Sequence, residues 1–250
     1  SSIRKIGQTY YFVYSSQKNH ELCYATSPYP DREFRFRGTL VSNGDVGYDG
    51  RSERERCNAT GTTHGSIEQI GGKWYVFYHR LTHGSDYSRQ MCAEPLELLP
   101  DGSIAQVEMT SCGLNGGDLP GVGEYPAAIC CNLTNGKMPH IANQTRKNIP
   151  AITHSDTEWY VGNAAKGTQI GYKHFSIQDE TVLRVTARGT GRMQVALDGE
   201  PVGTLSFHSE SWAAAALTIS RARVHAALRL TVTEGSLDIL SLYFSPEVKG

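Results

Sequence analysis

A few side chains in this 250-residue sequence have types and settings suited to chemistry. His64 opens the run Thr63-His64-Gly65-Ser66, directly before a strand-like pattern. An imidazole there can serve a ligand, although a lone histidine at a strand start is more often structural. Arg89 lies in Ser88-Arg89-Gln90-Met91 and brings a planar guanidinium whose fixed donors suit hydroxyls and carboxylates. Trp159, Tyr172 and Trp212 bring rings that either fill a core or stack on a ligand face. Asp45, Asp49, Glu53 and Glu55 mix with Arg51, Arg54 and Arg56, which reads as a solvated loop. His20, His79, His83 and His140 fall in or near loops and read as solvated, while Asp86-Tyr87 is a candidate pocket rim. The six cysteines show no zinc-ligand spacing, and Cys23 and Cys92 read as small core residues.

The elements that must hold these residues come as a repeat. Ile3, Ile6, Gly7, Tyr10, Tyr11, Phe12, Val13 and Tyr14 match Ile67, Ile70, Gly71, Trp74, Tyr75, Val76, Phe77 and Tyr78 without a gap, at an offset of 64 residues. In the first copy, strands are expected at Tyr10–Tyr14, Glu21–Ala25 and Phe34–Val41, then a long loop over 42–62. In the second copy they are expected at Ser66–Ile70, Trp74–Tyr78, Arg89–Glu94 and Ile104–Glu108. Short meandering strands in units of about 60 residues describe propeller blades. Residues 110–150, rich in Gly and Pro, read as an irregular linker or strap. From 151 on, short strands at Val182–Ala187, Met193–Leu197, Val202–Phe207, Ala214–Ile219, Ala226–Thr233 and Leu237–Phe244 argue a β-sandwich, with a turn at Arg188–Gly191.

Whole-chain bounds agree with an all-β protein of one large or two modest domains, since 39% of the residues are hydrophobic. A net charge of -1 gives no electrostatic case for nucleic acid or an anionic membrane. No apolar run approaches the ~20 residues that span a bilayer. The sequence starts inside a strand-like pattern without a methionine, which predicts a C-terminal piece of a longer protein.

Residues 1–109 resemble the last two blades of a family 43 glycoside hydrolase, the five-bladed β-propeller enzymes that include β-xylosidases and α-L-arabinofuranosidases. The resemblance is carried by Ser1–Gly7 with Tyr10-Tyr11, by Thr63-His64-Gly65-Ser66, and by Ser88–Pro95 with Leu99–Ile104. Residues from about 152 to 245 look like a family 6-type carbohydrate-binding module of jelly-roll form. The carriers there are Ile170-Gly171-Tyr172, Met193–Gly199 with Val202-Gly203-Thr204, Trp212, and Leu237-Asp238-Ile239-Leu240.

The expected architecture is therefore two propeller blades over 1–109, a strap over 110–150 and a sandwich over 151–250. The resemblance implies hydrolysis of plant-wall glycans with inversion, at terminal xylosyl or arabinofuranosyl units. It implies a general acid just before Ser1 and a base in earlier blades of the same protein, so no catalytic carboxylate is assigned within this sequence and the piece alone is expected to be inactive. It matches His64 to an axial histidine that helps hold a hydrated metal, Arg89 to an arginine in the sugar site, and Ser1 to the pocket lining. Trp159, Tyr172 and Trp212 become candidates for stacking on a pyranose. Asp238 matches a position that often binds structural calcium. No cofactor is needed for the chemistry, a structural calcium is allowed, and the expected partner is an oligo- or polysaccharide. The alternative is a non-catalytic carbohydrate-binding protein. Separately, the sandwich either binds glycan or only packs on the propeller.

Overall fold

A computed structural model describes residues 1–246. Regular structure among them consists of sixteen strands and four short 3-10 turns, so the fold is all-β. The chain divides into two compact units. One comprises Ser1–Leu81, Ser85–Met109 and Met138–Thr145, and the other Thr82–Gly84, Thr110–Lys137 and the chain from Arg146 on.

In the first unit, β1 (Ser2–Ile6), β2 (Thr9–Ser15), β3 (Glu21–Ser27) and β4 (Arg35–Ser42) form an antiparallel meander in chain order. The aromatic and β-branched residues drive it: Tyr11, Val13, Leu22, Tyr24, Leu40 and Val41 are buried. Tyr11 and Tyr24 stack with centroids 6.3 Å apart. The second copy of the repeat gives β5 (Ser66–Ile70), β6 (Lys73–Thr82) and β7 (Ser85–Leu96), with Ile67 opposite Val76 and Gly71-Gly72 as the turn. The first strands of the two copies are tied together at equivalent positions. Ser2 Oγ donates to Ser66 Oγ at 2.8 Å, and Arg4 pairs with Glu68 at 3.1 Å.

The second sheet has three strands, not the expected four. Residues 104–108 leave it and satisfy their backbone against the first repeat instead. Ile104, bridged only to Leu98, donates its N–H to the Tyr24 hydroxyl at 2.7 Å, Val107 N donates to Leu40 O at 2.8 Å, and Met109 N donates to Asp45 Oδ1 at 2.9 Å. A buried N–H takes whichever acceptor is close, and here Tyr24 and Asp45 supply it. Asp45 therefore departs from the solvated-loop reading: it is buried, as is His20, whose Nδ1 lies 3.0 Å from Ser42 Oγ.

The second unit contains β8 (Leu119–Pro120), β9 (Gly123–Pro126), β10 (Asn132–Thr134), β11 (Ala151–His154), β12 (Trp159–Ala165), β13 (Gln169–Ile177), β14 (Thr181–Leu197), β15 (Glu200–Ile219) and β16 (Arg223–Pro246). Strands run in the order β10-β13-β16-β12-β11, and β14 pairs with both β15 and β16. The six short strands expected from 182 to 244 are three long ones. Arg188–Gly191 is not a turn: β14 continues through it with register shifts against both neighbours. Each half of β14 contributes to one core, Leu183, Val185 and Ala187 from the first and Met193, Val195 and Leu197 from the second. Phe175 and Phe244, with centroids 5.0 Å apart, anchor that core, and each such ring contributes about 1.5–3 kcal/mol by burial. Glycine makes the bend. Gly235 has φ +71°, and a Cβ on it would collide with the Thr190 carbonyl.

The stretch 110–150, expected as a strap, is shared out. Its strands β8 and β10 pair with β13 and its β9 with β16, and Leu119, Ala127, Ala128, Cys130 and Leu133 join the second unit's core. Met138–Thr145 belongs to the first unit.

Candidate functional site

In the first unit a polar cluster forms where β5, β6 and β7 present their starts and edges. Gly65 lets the chain enter β5 against the Phe77 carbonyl, where a Cβ has no room. This close approach sets His64 at the strand entrance, exposed. Its Nδ1 lies 3.2 Å from Nε2 of His79 on β6, and the rings are 5.5 Å apart at 27°. Thr63 Oγ1 donates to the His79 carbonyl at 3.1 Å and fixes the two strands at this level. His79 is not the solvated residue expected: it is half-buried, and its Nδ1 is buried without a hydrogen-bond partner. Burial first, then the Arg89 cation and His64, lower its pKa to about 4, so it is neutral at physiological pH.

Asp86 at the start of β7 acts electrostatically on His79 and is buried rather than at a rim, while its neighbour Tyr87 is exposed. Asp86 Oδ1 accepts from Thr62 N at 3.2 Å and Thr62 Oγ1 at 3.0 Å, and Oδ2 accepts from Asn143 N at 3.0 Å. Burial alone raises its pKa, but these bonds and the Arg89 cation outweigh it and hold the carboxyl below its usual range. Arg89 is exposed on β7 and acts electrostatically on both His79 and Asp86. The structure thus brings His64 and Arg89 into one cluster with His79 and Asp86. Ser1 is exposed and adjoins Ser2, whose hydroxyl meets Ser66 two residues from His64. Such an array places two imidazoles and a guanidinium together, with His64 and Arg89 exposed. The buried carboxylates Asp45, Asp86 and Glu94 are committed elsewhere, Glu94 to the Tyr78 hydroxyl at 3.0 Å.

The repeat held a signal for His79 that went unused. The matching position in the first copy is Ser15, so the second copy replaces a small hydroxyl by a ring at that strand position. Asp86 had no comparable mark, because its partner Asn143 is 57 residues away in sequence.

In the second unit the three aromatic candidates separate. Trp159 is 45% exposed at the start of β12, with His154 5.0 Å and His83 5.8 Å from its ring. Tyr172 is corrected to a core residue: it is fully buried and its hydroxyl donates to Ala127 O at 3.2 Å, leaving no face for a ligand. Trp212 is half-buried and already covered. The Arg188 guanidinium lies 4.4 Å over its ring and 5.1 Å over that of Tyr160, and its Nε1 donates to Glu158 Oε2 at 2.7 Å. Asp238 accepts from Arg188 Nη2 at 2.9 Å and Nε at 3.1 Å and from Asn163 N at 3.2 Å. That carboxylate floors an open cavity of about 330 Å³ with Arg188 and Glu210 on its walls.

The resemblance implies a metal ion at His64 and at Asp238. Among the described residues no group of three or more His, Cys, Asp or Glu side chains is placed to hold a metal ion. Asp238 faces a guanidinium, and a cation there would meet Arg188. His64 faces a second imidazole. The residues present do not fit a metal centre.

Comparison with known proteins decides the relationship. Over 218 residues the chain is 41% identical to a xylosidase/arabinosidase from Thermoclostridium stercorarium, covering 82% of this chain and 46% of that one. The chain is a homologue of this xylosidase/arabinosidase. A xylosidase/arabinosidase from Bacteroides ovatus is 32% identical over 110 residues, 43% of this chain and 30% of the relative. The chain thus spans less than half the length of the curated relatives it matches. Among solved structures, a family 43 arabinoxylan arabinofuranohydrolase from Bacillus subtilis, in complex with cellotetraose, aligns with 98% of this chain and 53% of its own at 20% identity and a TM-score of 0.49. A family 6 module from Clostridium stercorarium, in complex with cellobiose, aligns with 53% of this chain at 17% identity and a TM-score of 0.43. No family model matches the chain.

Proposed function

We propose that this chain forms part of an inverting glycoside hydrolase that removes terminal xylosyl or arabinofuranosyl units from plant-wall glycans. The observation that carries the reading is the 41% identity to a xylosidase/arabinosidase, because it extends over 82% of the chain and so over both units. In this reading the sheets β1–β4 and β5–β7 are neighbouring propeller blades, which the Ser2–Ser66 and Arg4–Glu68 contacts support. The unit built on β13–β16 is a carbohydrate-binding-type sandwich. His64 and Arg89 then hold sugar oxygens, with Asp86 and His79 fixing their surroundings. Inverting hydrolysis needs a carboxylic acid and a carboxylate base about 6.5–9.5 Å apart, with water between. Asp45, Asp86 and Glu94 are engaged in structural bonds, so the acid and base come from elsewhere in a longer protein, and the chain alone binds without turnover.

A second reading, a non-catalytic carbohydrate-binding protein, draws on the exposed Trp159 indole with its two histidine neighbours. A panel of nitrophenyl glycosides, offered to this chain and to a longer protein that carries it, separates the two. The hydrolase reading expects xyloside or arabinofuranoside cleavage by the longer protein, with the inverted anomer in the proton NMR spectrum. Glycan binding without any cleavage by that protein hands the function to the second reading.

A further inference from the structure

We infer that His79 is a positioning residue that locks His64 in the tautomer with its proton on Nε2, so that His64 offers a ligand a donor N–H and not a lone pair. The ligand it takes is an oxygen acceptor, such as a carboxylate, a hydroxyl or a water oxygen, and not a directly coordinated metal ion.

The argument is one of proton accounting between two rings. His64 Nδ1 and His79 Nε2 are 3.2 Å apart, so one proton lies between them. Two arrangements are open. In the first, His79 carries its proton on Nε2 and donates to a bare His64 Nδ1. The remaining His64 proton then sits on Nε2, the outward nitrogen. In the second, His64 donates from Nδ1 and keeps a lone pair on Nε2. His79 must then carry its proton on Nδ1. That atom is buried and has no hydrogen-bond partner among the described residues. A buried donor without an acceptor is rarer and costlier than an idle acceptor. The first arrangement wins.

Metal-bound histidines show the reverse pattern. Their non-ligating nitrogen donates its N–H to a carboxylate, carbonyl or water, which frees the other nitrogen's lone pair. His64 has an imidazole in that place, one that can accept its proton only by exposing Nδ1–H to a dry interior. Calcium, moreover, prefers oxygen ligands. The absence of a third metal-binding side chain in the described residues agrees.

The test is a two-bond proton–nitrogen correlation spectrum of the full chain labelled with 15N-histidine, recorded well above the ordinary histidine pKa of about 6.5. His64→Gln and His79→Gln variants assign the signals. Both rings are expected to show a protonated Nε2 and a bare Nδ1, in about tenfold or greater excess over the other tautomer. Calcium chloride is expected to leave the His64 nitrogens unmoved. In His79→Phe, which keeps a ring but no donor, His64 becomes a tautomer mixture. In His79→Gln, whose amide can donate, it keeps Nε2–H. A proton on His79 Nδ1, or a calcium-induced loss of the His64 Nε2 proton, overturns the inference. The wild-type spectrum decides even if the phenylalanine variant does not fold. Hydrolysis is not read in this experiment, so its failure is separable from failure of the glycosidase reading.

Discussion

The hydroxyls of Ser2 and Ser66 meet at 2.8 Å, across a sequence distance equal to the repeat offset. The two copies therefore touch through identical positions, and two residues further on Arg4 and Glu68 do so again. The first strands of the two copies thus lie side by side in register. The two contacts should differ in worth. The serine pair is partly buried, and its double-mutant coupling with Ser2→Ala and Ser66→Ala is expected near 1 kcal/mol. The Arg4–Glu68 pair is exposed and is expected to couple by under about 0.5 kcal/mol, falling further with salt. Urea melts of the two cycles decide.

His64→Ala and Arg89→Ala are expected to lower glycoside turnover in a longer protein carrying this chain by about 10²-fold, because each removes a group that orients the sugar. Both side chains are exposed, so thermal melts of this chain should shift little. Unchanged turnover in both variants would remove the cluster from the sugar site.

Asp86 makes acid a specific weakness of the first unit. Its folded pKa lies below the unfolded one, because the bonds from Asn143 and Thr62 and the Arg89 cation outweigh burial. The stabilisation is present above the unfolded value of about 3.9 and is lost as pH falls through the folded value. Asp86→Asn keeps the shape but leaves a donor facing the Asn143 or Thr62 amide. It should cost about 1–3 kcal/mol at neutral pH, and the gap to wild type should narrow at about pH 3. Urea midpoints at the two pH values measure it.

Trp159→Ala should weaken binding of xylo-oligosaccharides by about 1 kcal/mol, since its exposed ring is free to stack where Tyr172 is buried and Trp212 is covered by Arg188. Trp212→Ala should instead loosen Arg188 and Glu158 with little change in binding. Affinity electrophoresis of the two variants distinguishes them.

Gly235→Ala should be among the most damaging single changes, about 2–4 kcal/mol, because it forces a side chain into a left-handed φ and against the Thr190 carbonyl. Calorimetry of the variant against Gly199→Ala, where the added Cβ meets nothing, separates the collision from the φ penalty.

Much of the architecture could be read from residue order. β5 ends at the residues expected, and β2, β3 and β4 differ from expectation only at their tips, because alternating aromatic and β-branched residues between Gly and Pro leave few other solutions. The bend of β14 at Arg188–Gly191 was expected as a turn, and β15 and β16 as two shorter strands each, since glycines that break a strand and glycines that bend one look alike in sequence. Residues 104–108 have strand composition, but their acceptors, Tyr24 and Asp45, are set by tertiary proximity. The same limit hid the cluster. His64 and Arg89 stood out in motifs, whereas Asp86 and His79 take their character from burial and from neighbours that no local pattern names.

Because β14, β15 and β16 each run through both halves of the second unit's core, no half can detach while the other stays intact. The unit resembles a folded cloth: opening it means creasing the same threads twice. Amide protons near Leu183 and near Val195 should therefore exchange through one shared opening event, although they lie at opposite ends of a strand. A force applied to this unit would load a single mechanical element, which gives way all at once or holds.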